Sequence, residues 1–263
     1  MIVFLSDFGV DSPYAGICKG IILSINPLVE IVDLTHQLVP YNVELANFIL
    51  KNSWSHFPVH SIFLCIVDPG VGGRRKLIII KTHDKFFVGP DNGVFSFLSE
   101  ENIEKIIAID NKTYFSNNIT HTFHGRYILA PVSAFLSLGT CMDNFGRQQK
   151  KIYRIPSRAP IYRNGEIYAD VINVDTFGNL IANVEEEFIK KCFRGVPFKK
   201  LKITIDDKFE LRGISKTYSD VKKGEPVALI NSFGLLEIAI NQGNASRYFE
   251  IGCASKIKIT VVS

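Results

Sequence analysis

The periodicity of the apolar residues changes once along this chain, near residue 155, and a single class of fold cannot satisfy both halves. Before that point, short β-branched runs at 2–5, 30–34 and 61–67 alternate with stripes of helical spacing. Ile17, Ile21 and Ile25 fall on one face of a segment that starts at Ser12-Pro13 and stops at Asn26-Pro27, proline being suited to a first helical turn. Val43, Ala46, Leu50 and Trp54 make a second stripe, and 128–138 reads as a third helix. Runs at 77–81 and 86–88 flank the turn Thr82-His83-Asp84, the pattern of a hairpin. The alternation predicts an α/β domain with a mainly parallel sheet over residues 1–155.

Beyond it the helical stripes stop. Runs at 166–174, 201–205, 209–212, 227–230 and 256–262 alternate or are β-rich, which predicts an all-β, barrel-like domain over 165–263. The stretch 156–164, with Pro156, Pro160 and the turn-forming Asn164-Gly165, reads as the linker. With 46% hydrophobic and 21% charged residues among 263, the chain has material for two cores and no signature of disorder. The net charge of +4 is spread singly or in pairs such as Arg74-Arg75 and Lys199-Lys200, so no nucleic-acid partner is called for. No apolar run approaches the ~18 residues of a membrane span. Residues 1–5 lack a basic leader region and Asp7 follows at once, so the expected location is the cytoplasm, away from membranes. Five cysteines without CxxC spacing suggest neither a disulfide framework nor a zinc knuckle, and read as buried free thiols.

The polar residues narrow the chemistry. GxxxxGK[ST] is absent, and Gly70-Val-Gly72-Gly73 leads into a strand where a phosphate loop needs a helix N-terminus. Gly16 and Gly20, inside the first helix, are expected to allow close packing on the sheet. Asp7, Asp33, Asp68 and Asp91 fall near strand ends, Asp91 at the expected start of a helix. The carboxyl edge of a parallel sheet is where ligands bind, which selects Asp7 and Asp68 as candidates and leaves Asp33 and Asp91 as caps. Asp7, Asp33, His36, Asp68 and His124 also offer a set from which a dinuclear metal site could be assembled, although neither HxH nor HExxH spacing is present. Arg75 follows Asp68 across a glycine-rich loop able to fold back, against the simpler reading of Arg74-Arg75 as a solvated pair beside a strand.

Several blocks, taken in order, resemble one family: SDFG at 6–9, Cys18-Lys-Gly20, Asp33-Leu-Thr-His36, VDPGVG at 67–72, PDNG at 90–93, TFHGR at 122–126, VDTFGN at 174–179, Thr217-Tyr-Ser-Asp220 and INSFGLLEIAINQGNAS at 230–246. They resemble the SAM hydroxide adenosyltransferases, or S-adenosyl-L-methionine (SAM) hydrolases, relatives of the 5′-halogenating fluorinases and chlorinases. The resemblance implies an α/β domain followed by a β-barrel-like one, and a homotrimer binding SAM between the first domain of one subunit and the second of its neighbour. It implies hydrolysis of SAM to adenosine and L-methionine by in-line attack of water on the ribose C5′, with no metal and no cofactor, SAM being the substrate. The implied catalytic residues are Asp68, Arg75 and His124. For substrate binding it implies Asp7 for the ribose hydroxyls, assisted by Asp11; Tyr41 against the sugar; Tyr218 stacked on adenine; and Asn179 and the backbone near Ala245 on the adenine edge. Asp175, Ser232 and Glu237 are implied at the methionine end. Tyr127 departs from the family, which usually has Asp after His-Gly-Arg, and Arg126 reads as a packing or intersubunit residue. A carboxylate at Asp68 would repel a halide, which separates a hydrolase from a halogenase; a SAM- or adenosine-binding protein without turnover is the other alternative.

Overall fold

The computed structural model describes residues 1–156 and 158–262; Ser157, in the expected linker, and Ser263, at the end of the expected second domain, lie outside the described residues. The chain divides into two compact units, Met1–Ile155 and Pro156–Ser263.

In the first unit the elements run β1 (Ile2–Ser6), α1 (Tyr14–Ile25), β2 (Ile31–Thr35), α2 (Val43–Ser53), β3 (Ile62–Ile66), β4 (Leu77–Thr82), β5 (Phe86–Pro90), β6 (Ile103–Ile109), α3 (Ala130–Ser137) and β7 (Gly146–Gln148). One sheet has the order β2-β1-β3-β5-β4-β6-β7. β2, β1, β3 and β5 are parallel neighbours, while β4, β6 and β7 add antiparallel pairings, so the sheet is mixed with a parallel half. The hairpin read at 77–88 is the β4–β5 pair. β1 and β3 are buried along their whole length, as strands covered on both faces must be. Alternation sends Ile2 and Phe4 into the core shared with α1 and α3, and Val3 and Leu5 into the core shared with α2.

Several details differ from the sequence reading. The buried face of α1 is Ala15, Cys18 and Ile22; Ile17, Ile21 and Ile25 are only half-buried. Gly16 and Gly20 consequently point to open space, with nothing within 4 Å of an added Cβ, so close packing does not explain them. Asp91 opens a run of turns and no helix: its two oxygens accept from Gln149 Nε2 at 3.0 Å and from Tyr153 N at 2.7 Å. Only Cys18 and Cys65 are buried thiols, while Cys141 and Cys253 are exposed.

The second unit holds β8 (Ile161–Arg163), β9 (Glu166–Val174), β10 (Leu180–Glu185), α4 (Glu186–Cys192), β11 (Leu201–Ile205), β12 (Phe209–Arg212), β13 (Pro226–Ile230), β14 (Leu235–Ile240), α5 (Ala245–Phe249) and β15 (Lys256–Val261). The antiparallel sheet runs β12-β11-β15-β9-β10-β14-β13 around its own apolar core. A single bridge, Ser215 to Leu229, brings the segment after β12 back to β13 and nearly closes a barrel. Two corrections apply here. The stretch read as linker contains β8, because Asn164 and Gly165 both take positive φ (52° and 80°) and make a tight hairpin turn onto β9. The unit is also not purely β: α4 and α5 span seven and five residues, too short to leave a periodic stripe. Among the described residues no helix is long and apolar enough to cross a membrane.

Candidate active site

β1 and β3 pair in parallel from Ile2↔Ile62 to Ser6↔Ile66, so the chain leaves both strands at one sheet edge. Asp7 and Asp68 emerge there, at the edge where parallel sheets take ligands. The loop after β3 folds back through two turns, Val71 N to Asp68 O at 3.2 Å and Gly73 N to Gly70 O at 2.9 Å. Gly72 permits this at φ 76°, since a Cβ there would stand 2.5 Å from the carbonyl oxygen of His121. Asn92, from PDNG, donates to Val67 O at 2.9 Å and pins the strand end.

The folded loop returns Arg75 to Asp68. Arg75 Nε lies 2.8 and 3.1 Å from the two carboxylate oxygens, and Nη2 lies 2.5 Å from Oδ2, a buried bidentate pair with side chains 10% and 6% exposed. Only Arg74 of the pair is the solvated residue expected beside a strand. Arg75 Nη2 also meets His124 Nδ1 at 2.9 Å. A guanidinium only donates, so Nδ1 must accept and the imidazole is neutral with its proton on Nε2. Burial, then the Arg75 charge, holds the His124 pKa below the ordinary histidine value, with Asp68 opposing and His121 adding to the depression.

His124 caps a π-helical turn, Gly125–Leu129, that runs into α3. Such turns are rare and gather at functional positions. Gly125 lets it sit on β3, because an added Cβ would lie 2.8 Å from Ile66 Cγ2. Tyr127 carries the guanidinium of Arg126 4.9 Å above its ring, while Arg126 Nε is buried without a partner.

Asp68 and His124 line an open cleft of about 480 Å³ together with Asp7, Tyr41 and an aromatic wall. The wall is Phe8, Tyr14 and Phe123, mutually edge-to-face at 5.0 to 5.7 Å. The sequence reading missed these rings; Phe8 and Phe123 stand inside SDFG and TFHGR, which was the available signal. Asp7 Oδ2 accepts from Tyr41 N at 2.8 Å, and Tyr41 is exposed at φ 67°. Asp11 is exposed in the turn before α1 and does not line the cleft. Asp33 and His36 bond to each other at 3.0 Å and are not cleft-lining; among the described residues no three His, Cys, Asp or Glu gather as a metal site.

The candidates of the second unit lie in the β9–β10 turn (Asp175, Asn179), a short turn before β13 (Tyr218), the β13–β14 turn (Ser232), β14 (Glu237) and the start of α5 (Ala245). Asp175 Oδ1 accepts from Asn179 N at 2.8 Å and Oδ2 from Asn179 Nδ2 at 3.0 Å, a closed turn with Asn179 buried. Ser246 N donates to Gly178 O at 2.9 Å, which seats Ala245 and the start of α5 beside that turn. Glu237 is buried and accepts from the Tyr218 hydroxyl at 2.7 Å; burial, reinforced by Glu237, pushes the Tyr218 phenol up to about 12. Ser232 is exposed in the turn joining β13 to β14, at the opposite end of β14 from α5.

Residues 2–146 match the family model of the SAM hydroxide adenosyltransferase N-terminal domain, and residues 169–258 that of its C-terminal domain. The (R)-S-adenosyl-L-methionine hydrolase of Methanocaldococcus jannaschii is 31% identical, over 98% of this chain and 95% of that protein. A fluorinase of Actinopolyspora mzabensis is 24% identical, over 99% of this chain and 97% of its own. The crystal structure of an uncharacterized conserved protein from Thermotoga maritima superposes with a TM-score of 0.91 at 37% identity, covering 99% of this chain and all of that one.

Proposed function

The chain belongs to the SAM hydroxide adenosyltransferase family, and from that membership we propose that it hydrolyses S-adenosyl-L-methionine to adenosine and L-methionine. The observation that carries the reading is the Asp68–Arg75–His124 cluster at the mouth of the β3 edge. A sulfonium leaves without help from an acid, so the reaction asks for a held and partly deprotonated water. Its oxygen bonds to the ribose C5′, the C5′–S bond breaks with its electrons passing to sulfur, and methionine leaves as a neutral thioether. The water's proton goes to Asp68. His124 cannot take it while Arg75 occupies Nδ1, and instead offers Nε2–H to orient the nucleophile. Arg75 steadies the developing hydroxide.

Asp7 receives the ribose diol, a carboxylate being able to accept both hydroxyls. Tyr41 lies against the sugar, and the aromatic wall suits a sulfonium cation. Tyr218, Asn179 and the backbone at Ala245 hold adenine, while Asp175, Ser232 and Glu237 serve the methionine end. In this reading they come from a neighbouring copy in a homotrimer, without metal or cofactor, in the cytoplasm. The carboxylate of Asp68 beside the nucleophile's place disfavours a halide.

The test is to incubate EDTA-treated protein with SAM, with and without chloride or fluoride, and follow products by chromatography. Adenosine and methionine in equal amounts, independent of halide, is the expected result; 5′-halo-adenosine, or SAM bound and left intact, would overturn it.

A further inference from the structure

Four residues outside that chemistry form a single polar chain. Lys19 Nζ donates to Asp33 Oδ2 at 2.5 Å, Asp33 Oδ1 lies 3.0 Å from His36 Nε2, and His36 Nδ1 lies 2.7 Å from Ser6 Oγ. The order Ser-His-Asp is that of a hydrolytic triad, but Ser6 is fully buried at 0% exposure and its hydroxyl can meet no substrate. A different role fits the contacts. Against the upward push of burial, hydrogen bonds from Lys19 and His36 keep Asp33 below its usual carboxylate range. An ionised Asp33 only accepts, so His36 donates through Nε2–H and its Nδ1 lone pair receives the Ser6 hydroxyl proton. Ser6 Oγ in turn accepts Phe8 N–H at 3.4 Å, and the His36 carbonyl accepts Gly9 N–H at 2.7 Å. The His36 ring stands edge-on to Phe4 at 4.7 Å. One histidine therefore ties down Ser6, Phe8 and Gly9, the residues on both sides of Asp7, and Asp7 and Phe8 line the cleft.

We propose that His36 is a positioning residue that sets where Asp7 stands in the cleft, through Ser6 and Gly9, with the Asp33–Lys19 pair fixing which ring nitrogen carries the proton. The proposal rests on the reading of Asp7 as the acceptor of a ribose diol. A histidine with a merely structural role would, when lost, weaken every ligand alike; a positioning role predicts a loss confined to ligands carrying the diol.

The experiment measures calorimetric affinities of the full-length protein for adenosine and for 2′,3′-dideoxyadenosine. Wild-type protein is expected to favour adenosine. His36→Phe, which keeps a flat ring against Phe4, is expected to lose adenosine affinity roughly tenfold and to bind the dideoxy compound as wild type does. His36→Asn, whose amide still reaches toward Ser6, restores part of the preference. Ser6→Ala, a smaller change, gives the same shift if His36→Phe does not fold. A preference for adenosine that survives in His36→Phe and Ser6→Ala, or an equal loss for both ligands, overturns the role of His36 and leaves the function standing. No preference in wild type overturns the reading of Asp7, and the positioning role with it.

Discussion

At Asp68 and His124 the geometry of Arg75 decides which lone pairs remain for a water. Three close contacts hold the carboxylate and one holds Nδ1, so the two neighbours are not interchangeable acceptors. Asp68→Asn keeps the shape but removes the proposed proton acceptor, and His124→Ala removes the proposed orienting donor. Each is expected to lower kcat by about 10²–10⁴-fold with KM changed only a few-fold. Steady-state kinetics on SAM decides this, and unchanged rates in both variants would remove the cluster from the mechanism. The same geometry sets a pH dependence. Protonating His124 puts a second donor on Nδ1 against Arg75 and breaks the arrangement. Because burial and Arg75 depress its pKa, this happens only below the ordinary histidine range, so activity holds through neutral pH and falls on the acid side of that range. A kcat/KM profile whose acid limb lies at or above an ordinary histidine value would contradict the assignment.

Among the elements, the π-helical turn Gly125–Leu129 carries the most consequence for the site. It begins at His124 and rests on the end of β3, the strand that delivers Asp68, so one contact couples the two groups proposed to hold the water. Gly125→Ala drives a methyl into Ile66 and is expected to cost about 1–3 kcal/mol of stability. Denaturant unfolding reads that cost, and kcat should fall with little change in KM, since the turn sets His124 and holds none of the residues proposed to bind the sugar. Full activity at wild-type stability would show that the turn is incidental.

At the scale of the whole molecule, each unit has its own apolar core, and the candidate residues divide between them. If neighbouring copies share each site, turnover per chain must fall when the assembly dissociates. Dilution across the association range, followed in parallel by sedimentation and by SAM cleavage, is expected to lose activity together with the three-chain species. Constant specific activity in a single-chain species would remove the shared-site arrangement.

The sequence by itself determined the large divisions. Apolar runs and stripes gave β1, β3, α2 and most β strands of the second unit, because alternation and helical spacing are local consequences of which face is buried. Short ordered motifs carried Asp7, Asp68 and His124, and Arg75 follows the VDPGVG block by three residues. What spacing along the chain does not encode came from tertiary structure. Strand register put Asp7 and Asp68 on one edge, and the fold-back of a glycine loop turned a pair of arginines into one buried partner and one solvated neighbour. The outward face of Gly16 and Gly20, the strand hidden in 156–164, the ring wall of Phe8, Tyr14 and Phe123 and the chain from Lys19 to Ser6 all depend on contacts between segments far apart in sequence. Such contacts follow from packing the whole chain at once and leave no local periodicity to read.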